Sequence, residues 1–159
     1  MLNASYVTEL TKMAEVSGLE AGEDTENLRN GFDRQIGSQR NGCACRMGIP
    51  ITFNFEKIEE VKGIRLVFDS DLSRTAHNMP CNYPLEQKGF KMPGTLIKSY
   101  KIQTSDDGVA FENVVEESCN CRSLRKHEFS AAIKALRFVP IAAWGEDKKA
   151  ATVFSVDVL

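Results

Sequence analysis

Hydrophobic and polar residues alternate in twos along several stretches of this chain, and that alternation predicts strands. Tyr100, Ile102 and Thr104 share one face, while Lys101 and Gln103 share the other. Ile51, Phe53 and Phe55 repeat the pattern after Pro50, and Ile64, Leu66 and Phe68 repeat it again. A β-branched run resumes at Val114-Val115, and Leu136, Phe138 and Pro140 bracket a further one. Asp106-Asp107-Gly108 supplies turn chemistry, because glycine takes positive φ freely and aspartate tolerates it. Strand, turn, strand and return strand between Ile97 and Trp144 describe an antiparallel meander. The chain closes with Thr152 to Leu159, where Val153, Ser155 and Asp157 alternate with Phe154, Val156 and Val158. This last strand needs a neighbour, expected near a first edge strand at Ala14 to Leu19. Ahead of that edge lies a short helical pattern carried by Tyr6, Leu10 and Met13, which packs on the body or frays.

Two long polar stretches interrupt the strands. Glu20 to Arg46 carries turn signals at Asn30-Gly31, Ile36-Gly37 and Asn41-Gly42, and Asp69 to Gly94 forms the second. Irregular segments of this length inside a compact domain are usually functional or held by a ligand. Seven or eight strands with strong turns and no long helix predict an all-β fold, a two-sheet antiparallel β-sandwich. Residues 1–13 form an N-terminal extension or linker, and residues 14–159 the sandwich.

Composition narrows the function. A chain of 159 residues is one domain, able to bury roughly 70% of its unfolded surface. A net charge of −2 exerts no general pull on nucleic acid or acidic membranes. No run reaches the length of a membrane span, and the N-terminus shows no basic-then-apolar signal pattern, so a soluble protein is expected. The two histidines, His77 and His127, lie in no enzyme motif. Gly-x-Ser-x-Gly, His-Glu-x-x-His and the phosphate-binding glycine loop are all missing. No Gly-x-Gly-x-x-Gly opens a strand–helix unit, which excludes dinucleotide binding in the Rossmann manner. A self-contained active site is therefore not expected. His127 reads as a strand residue and Trp144 as a plug at a sheet end.

The five cysteines stand apart. Cys43 and Cys45 form one Cys-x-Cys pair, and Cys119 and Cys121 form another, with Cys81 between them. The odd number argues against a closed disulfide framework. Three readings stay open: reduced thiols, disulfides, or four thiolates around zinc, whose usual spacing is Cys-x2-4-Cys.

From Glu26-Asn-Leu-Arg-Asn-Gly-Phe-Asp-Arg through Ile51-Thr-Phe-Asn-Phe, Val61-Lys-Gly-Ile-Arg-Leu-Val-Phe and Tyr100 to Phe111, then Ala135-Leu-Arg-Phe-Val and Phe154-Ser-Val-Asp-Val, the chain resembles a known family. This is the galactose-binding-like jelly roll of discoidin and coagulation-factor C-type domains. A narrower resemblance lies in Leu66-Val-Phe-Asp-Ser-Asp-Leu-Ser-Arg, Arg125-Lys-His-Glu-Phe and Ala143-Trp-Gly-Glu. These strings look like the C-terminal accessory domain of bacterial FAD-dependent oxidoreductases. That likeness implies a flavin-binding catalytic domain in cis, with FAD held there and none here. Two departures matter. The family often has Asp at the place of Asn30, and a Trp near Cys43-Ala-Cys45.

The resemblance implies two sites. Calcium in this fold class is held by loop carbonyls and a carboxylate, which Asp33 would supply, with Asp157 as a second. The alternative is a plain turn, with Asp33 paired to Arg34 or to water. In the second long loop, Asp71, Arg74, His77 and Tyr83, together with Asp69, mix charge with an aromatic ring. Such groups suit a carbohydrate, charge meeting hydroxyls and the ring meeting the C–H face. The alternatives are a face packed on a catalytic domain, or a solvated loop with Arg74 paired to Asp71. The function expected is a non-catalytic accessory module of a larger oxidoreductase, a free-standing lectin-like module, or an interaction domain with a Cys-x-Cys metal or redox site.

Overall fold

The computed structural model describes residues 7–71 and 92–159. A short helix α1 (Glu9–Met13) leads into β1 (Glu15–Ser17) and a 3₁₀ turn at Thr25–Leu28. The strands β2 (Cys43–Arg46), β3 (Ile51–Phe68), β4 (Ile97–Ser105), β5 (Glu112–Glu117), β6 (Leu124–Ala143) and β7 (Ala150–Val158) follow. All pair antiparallel, in the order β2-β7-β3-β6-β4-β5, with β1 beside β3. The expected all-β class and antiparallel sandwich are the observed ones.

Two long strands turn one connected sheet into two layers. The first half of β3 pairs with β1 and with the second half of β6, which in turn pairs with β4, and β4 with β5. The second half of β3 pairs with the first half of β6 and with β7, which carries β2. The crossing lies where the β3–β6 register slips, between Asn54 and Glu59 and between Val61 and Gly63. Bulges bend a strand and increase its twist. At Gly63 the two backbones approach so closely that an added Cβ would stand 2.3 Å from the His127 carbonyl oxygen. Here the sequence pattern misleads in one respect: Ile51–Phe55 and Val61–Phe68 belong to one bent strand.

The alternating apolar positions meet between the layers. Phe53, Phe68, Tyr100, Phe138, Ile51, Ile64, Leu66 and Ile102 are fully buried. The Phe68 and Tyr100 ring centroids are 5.3 Å apart, and Phe138 lies 5.6 Å from Tyr100. Each such side chain contributes about 1.5–3 kcal/mol by burial, and tilted ring pairs add about 0.5–1.5 kcal/mol.

β7 does not lie against the N-terminal edge strand, as its sequence suggested. It pairs with β2 and β3, because Val156 and Val158 stack beside Leu66 and Ile64 in the core. Its outer face is covered as well. The Asp157 Oδ1 accepts hydrogen bonds from the Thr8 N–H (3.1 Å), the Thr8 hydroxyl (2.9 Å) and the Thr11 hydroxyl (2.6 Å). The extension, from Thr8 onward, is thus docked on the sandwich. No helix among the described residues is long and apolar enough to cross a membrane.

Candidate functional site

The strand ends create the site. β3 stops at Phe68, whose N–H donates to the Ser123 carbonyl (2.7 Å), and the Asp69 N–H donates to the Thr152 carbonyl (3.0 Å). The Asp71 N–H then donates to the Asp69 Oδ1 (2.8 Å) in an Asx turn, and Asp71 takes a positive φ of 60°. Aspartate tolerates that conformation better than most residues. The facing wall is the loop of residues 29–42, which side-chain amides hold in place of secondary structure. Asn41, only 1% exposed, accepts from the Asn30 amide (2.9 Å) and donates to the Arg34 carbonyl (2.9 Å). Gly42 then brings the backbone against β7 at φ 77°, where a Cβ would lie 2.5 Å from the Val153 carbonyl oxygen.

Between these walls is a cleft of about 150 Å³, lined by Gln35, Arg40, Asn41, Asp69, Asp71, Thr152 and Phe154. A smaller hollow of about 50 Å³ adjoins it, sharing Asp69 and Phe154 and adding Asp33, Arg34 and Ser123. The charges are partly matched. Arg40 reaches Glu23 at 2.6 Å, and Arg65 holds Asp33 at 2.5 Å. Among the described residues no cation pairs with Asp69 or Asp71. The cleft therefore offers two carboxylates, a guanidinium, two amides, a hydroxyl and a phenyl ring. That set binds several hydroxyls at once beside one apolar contact.

The structure sorts the residues that the sequence proposed. Asp71 lines the cleft; Arg74, His77 and Tyr83 lie outside the described residues, as does Cys81. The calcium reading finds no cluster. Among the described residues no three acidic, histidine or cysteine side chains converge. Asp33 gives both carboxylate oxygens to Arg65, and Asp157 is taken up by Thr8 and Thr11. Asp33 therefore pairs with Arg65.

The four-thiol centre is not formed either. Cys43 and Cys45 point into the core from β2, while Cys119 and Cys121 are exposed in the β5–β6 connection, and all four are free. The Cys43 thiol donates to the Asp24 carbonyl (3.1 Å). Burial, with Glu23 nearby, pushes its pKa up to about 12. Burial raises Cys45 too, helped by Cys43. His127 accompanies the core, its Nε2 2.7 Å from the Tyr100 hydroxyl. Burial lowers its pKa, and the nearby Arg125 lowers it further. Trp144 packs on the core and donates its indole N–H to the Asn120 carbonyl (2.7 Å).

Gln35, Arg40, Asn41, Thr152 and Phe154 were not singled out as site residues from sequence. The loop residues follow no period, and Phe154 reads as one half of a strand alternation. The one available signal was Asn41-Gly42, a turn pair flanking the strand that supports the cleft.

No protein-family model matches the chain, and no curated protein matches its sequence. Solved structures do match along nearly the whole length. The chitosan-binding module 1 of a chitosanase/glucanase from Paenibacillus sp. IK-5 superposes with a TM-score of 0.59 at 16% identity, covering 98% of this chain and 96% of that one. A family 32 carbohydrate-binding module of Clostridium perfringens, in complex with galactose, gives 0.62 at 12% identity, with 96% and 97% covered. Another from the same organism, bound to GalNAc-β-1,3-galactose, gives 0.62 at 13% identity, with 94% and 96% covered. At these identities the likeness concerns the fold: the chain has the antiparallel β-sandwich that these carbohydrate-binding modules share.

Proposed function

We propose that this chain is a non-catalytic carbohydrate-binding module whose sugar contacts lie in the cleft between the 29–42 loop, Asp69–Asp71 and β7. The observation that carries this reading is the cleft's lining, which sets hydroxyl-binding groups of both hydrogen-bonding senses around Phe154. Rigid support adds to it. Asn41 is buried and doubly bonded, so a ligand meets preformed groups and orders few side chains on binding. The likeness to modules solved with galactose-type sugars agrees with it.

The test is a glycan array spanning neutral, amino and acidic sugars, followed by Arg40→Ala. Binding that drops at least tenfold in the variant, with its melting temperature unchanged, supports the reading. Absence of any array binding rejects it.

The strings shared with accessory domains of FAD-dependent oxidoreductases support a place beside a flavin-binding catalytic domain in cis. Such a module would hold a carbohydrate-like substrate near the flavin. The native protein would then run several times larger than 17.7 kDa and carry flavin absorbance. A native species of this chain's own size without flavin would reject that placement and leave a free-standing lectin-like module.

A further inference from the structure

The hollow of about 50 Å³ beside the cleft shares Asp69 and Phe154 with it. Strand geometry gives this hollow an apolar floor. Arg65 stands on the outer face of β3, where it holds Asp33, and Val67 follows on that face by strand period. Opposite, Ser155 faces Val67 while Val153 faces Phe68, so Phe154 is the extra residue of a bulge. Bulges re-aim side chains. The Phe154 ring turns toward the 29–42 loop, its Cδ1 2.9 Å from where a Cβ on Gly42 would stand. The rim of the hollow is polar, formed by Asp69, Ser70, Ser123 and Arg34. Asp69 Oδ1 accepts the Asp71 N–H (2.8 Å). A carboxylate accepts about four such bonds, so Asp69 keeps capacity for a ligand N–H.

We propose that this hollow takes the acetamido group of a 2-acetamido-2-deoxyhexose whose ring occupies the cleft, an inference that rests on the sugar-binding role proposed above. Size is the first support. A water-sized group needs about 10–15 Å³, so the cleft holds about 10–15 such groups and the hollow about four. Those capacities match a hexose and an acetamido group in turn. Chemistry is the second. The acetamido N–H joins the ring to the acetyl group, and Asp69 is the acceptor common to both cavities. The acetyl oxygen accepts from Arg34, Ser70 or Ser123, and the methyl lies on Val67 and Phe154. A sugar with a plain hydroxyl at that carbon leaves the hollow to water, which the apolar floor cannot hydrogen-bond.

The test titrates the full chain calorimetrically with the methyl glycosides of glucose, glucosamine and N-acetylglucosamine, and with the corresponding galactose series. In at least one series the acetamido sugar binds about tenfold tighter or more than both the hydroxyl and the amino sugar, through one buried methyl and one amide hydrogen bond. Ser123→Leu, which fills the hollow, brings that ratio to about one. Val67→Thr keeps the shape of the floor but sets a hydroxyl against the methyl; it lowers the ratio about threefold and serves where the leucine variant melts early. Equal affinities across both series, tightest binding of the amino sugar, or a ratio that neither variant changes overturns the proposal and leaves the sugar cleft standing. No binding in either series overturns it too, and an empty glycan array beside that result rejects the cleft itself.

Discussion

Replacing Asp157 with alanine is the sharpest test of how the N-terminal segment is tied to the sandwich. The carboxylate is only 3% exposed, and its Oδ1 receives the Thr8 N–H and the Thr8 and Thr11 hydroxyls. Hydrogen bonds to a charged group contribute about 1.5–3 kcal/mol each. The hydroxyls have a second acceptor in the Val158 carbonyl, at 2.5 and 3.4 Å, so they are not orphaned. The Thr8 N–H has no such fallback. The expected loss is therefore one to two bonds, about 2–4 kcal/mol, a large share of the roughly 5–15 kcal/mol typical of a domain. Urea denaturation reads it directly. With an m-value near 2 kcal/mol/M the midpoint falls by about 1–2 M. Asp157→Asn, which keeps an acceptor oxygen, loses less. Hydrogen exchange should show protection lost first over residues 8–14, because a helix of five residues does not persist alone. A midpoint shift below about 0.3 M, with exchange at these residues unchanged, would mean that Asp157 does not tie the N-terminal segment down.

Three further outcomes follow from other parts of the molecule. Iodoacetamide at pH 8 should alkylate Cys119 and Cys121 in the native protein but reach Cys43 and Cys45 only after denaturation, as peptide mass mapping would reveal. Burial lowers the His127 pKa below its usual 6.5, so the unfolded chain binds the proton more readily than the folded one. Stability then falls as pH drops through about 6.5 and levels off below the folded pKa, and His127→Gln should flatten that part of a pH–stability curve. Gly63→Ala places a Cβ where the His127 carbonyl stands, and should cost about 1–3 kcal/mol or more by thermal denaturation. A wild-type melting temperature in that variant would contradict the close approach.

Much of the architecture could be read directly, and the unread parts have physical causes. Tyr100/Ile102/Thr104 and Ile64/Leu66/Phe68 each present one face to a single core, so period-2 alternation reports them faithfully. Cys43-Ala-Cys-Arg46 was hidden because it is short and lacks β-branched or aromatic residues, although it pairs fully with β7. The joining of Ile51–Phe55 to Val61–Phe68 was hidden by the exposed Glu56, Lys57 and Ile58 at the bend, which read as a loop. Gly63 marked that bend, since an isolated glycine within a strand pattern signals a bulge or a close backbone approach. The cleft was harder. Arg40 is placed by the Glu23 carboxylate and Asn41 by the Asn30 amide, each more than ten positions away, and Thr152 and Phe154 by strand register. Asp71 was legible because a carboxylate-rich turn following a strand is a local feature. Asp157 shows the opposite case: its type suited a metal, but the strand register set it beneath the two N-terminal threonines.

The proposed sugar site lies beside Asp69, Asp71 and the 29–42 loop. The most direct measurement is a titration of isotope-labelled protein with the strongest glycan from the array, followed in amide correlation spectra. A sugar bound there produces saturable shifts centred on the amides of Gln35, Arg40, Asn41, Asp69, Asp71, Thr152 and Phe154, with affinity reduced at least tenfold in Asp71→Asn. Shifts centred on the β4–β5 turn at Asp106–Gly108, at the opposite end of the sandwich, or an Asp71→Asn variant that binds as tightly as the wild type, would contradict it.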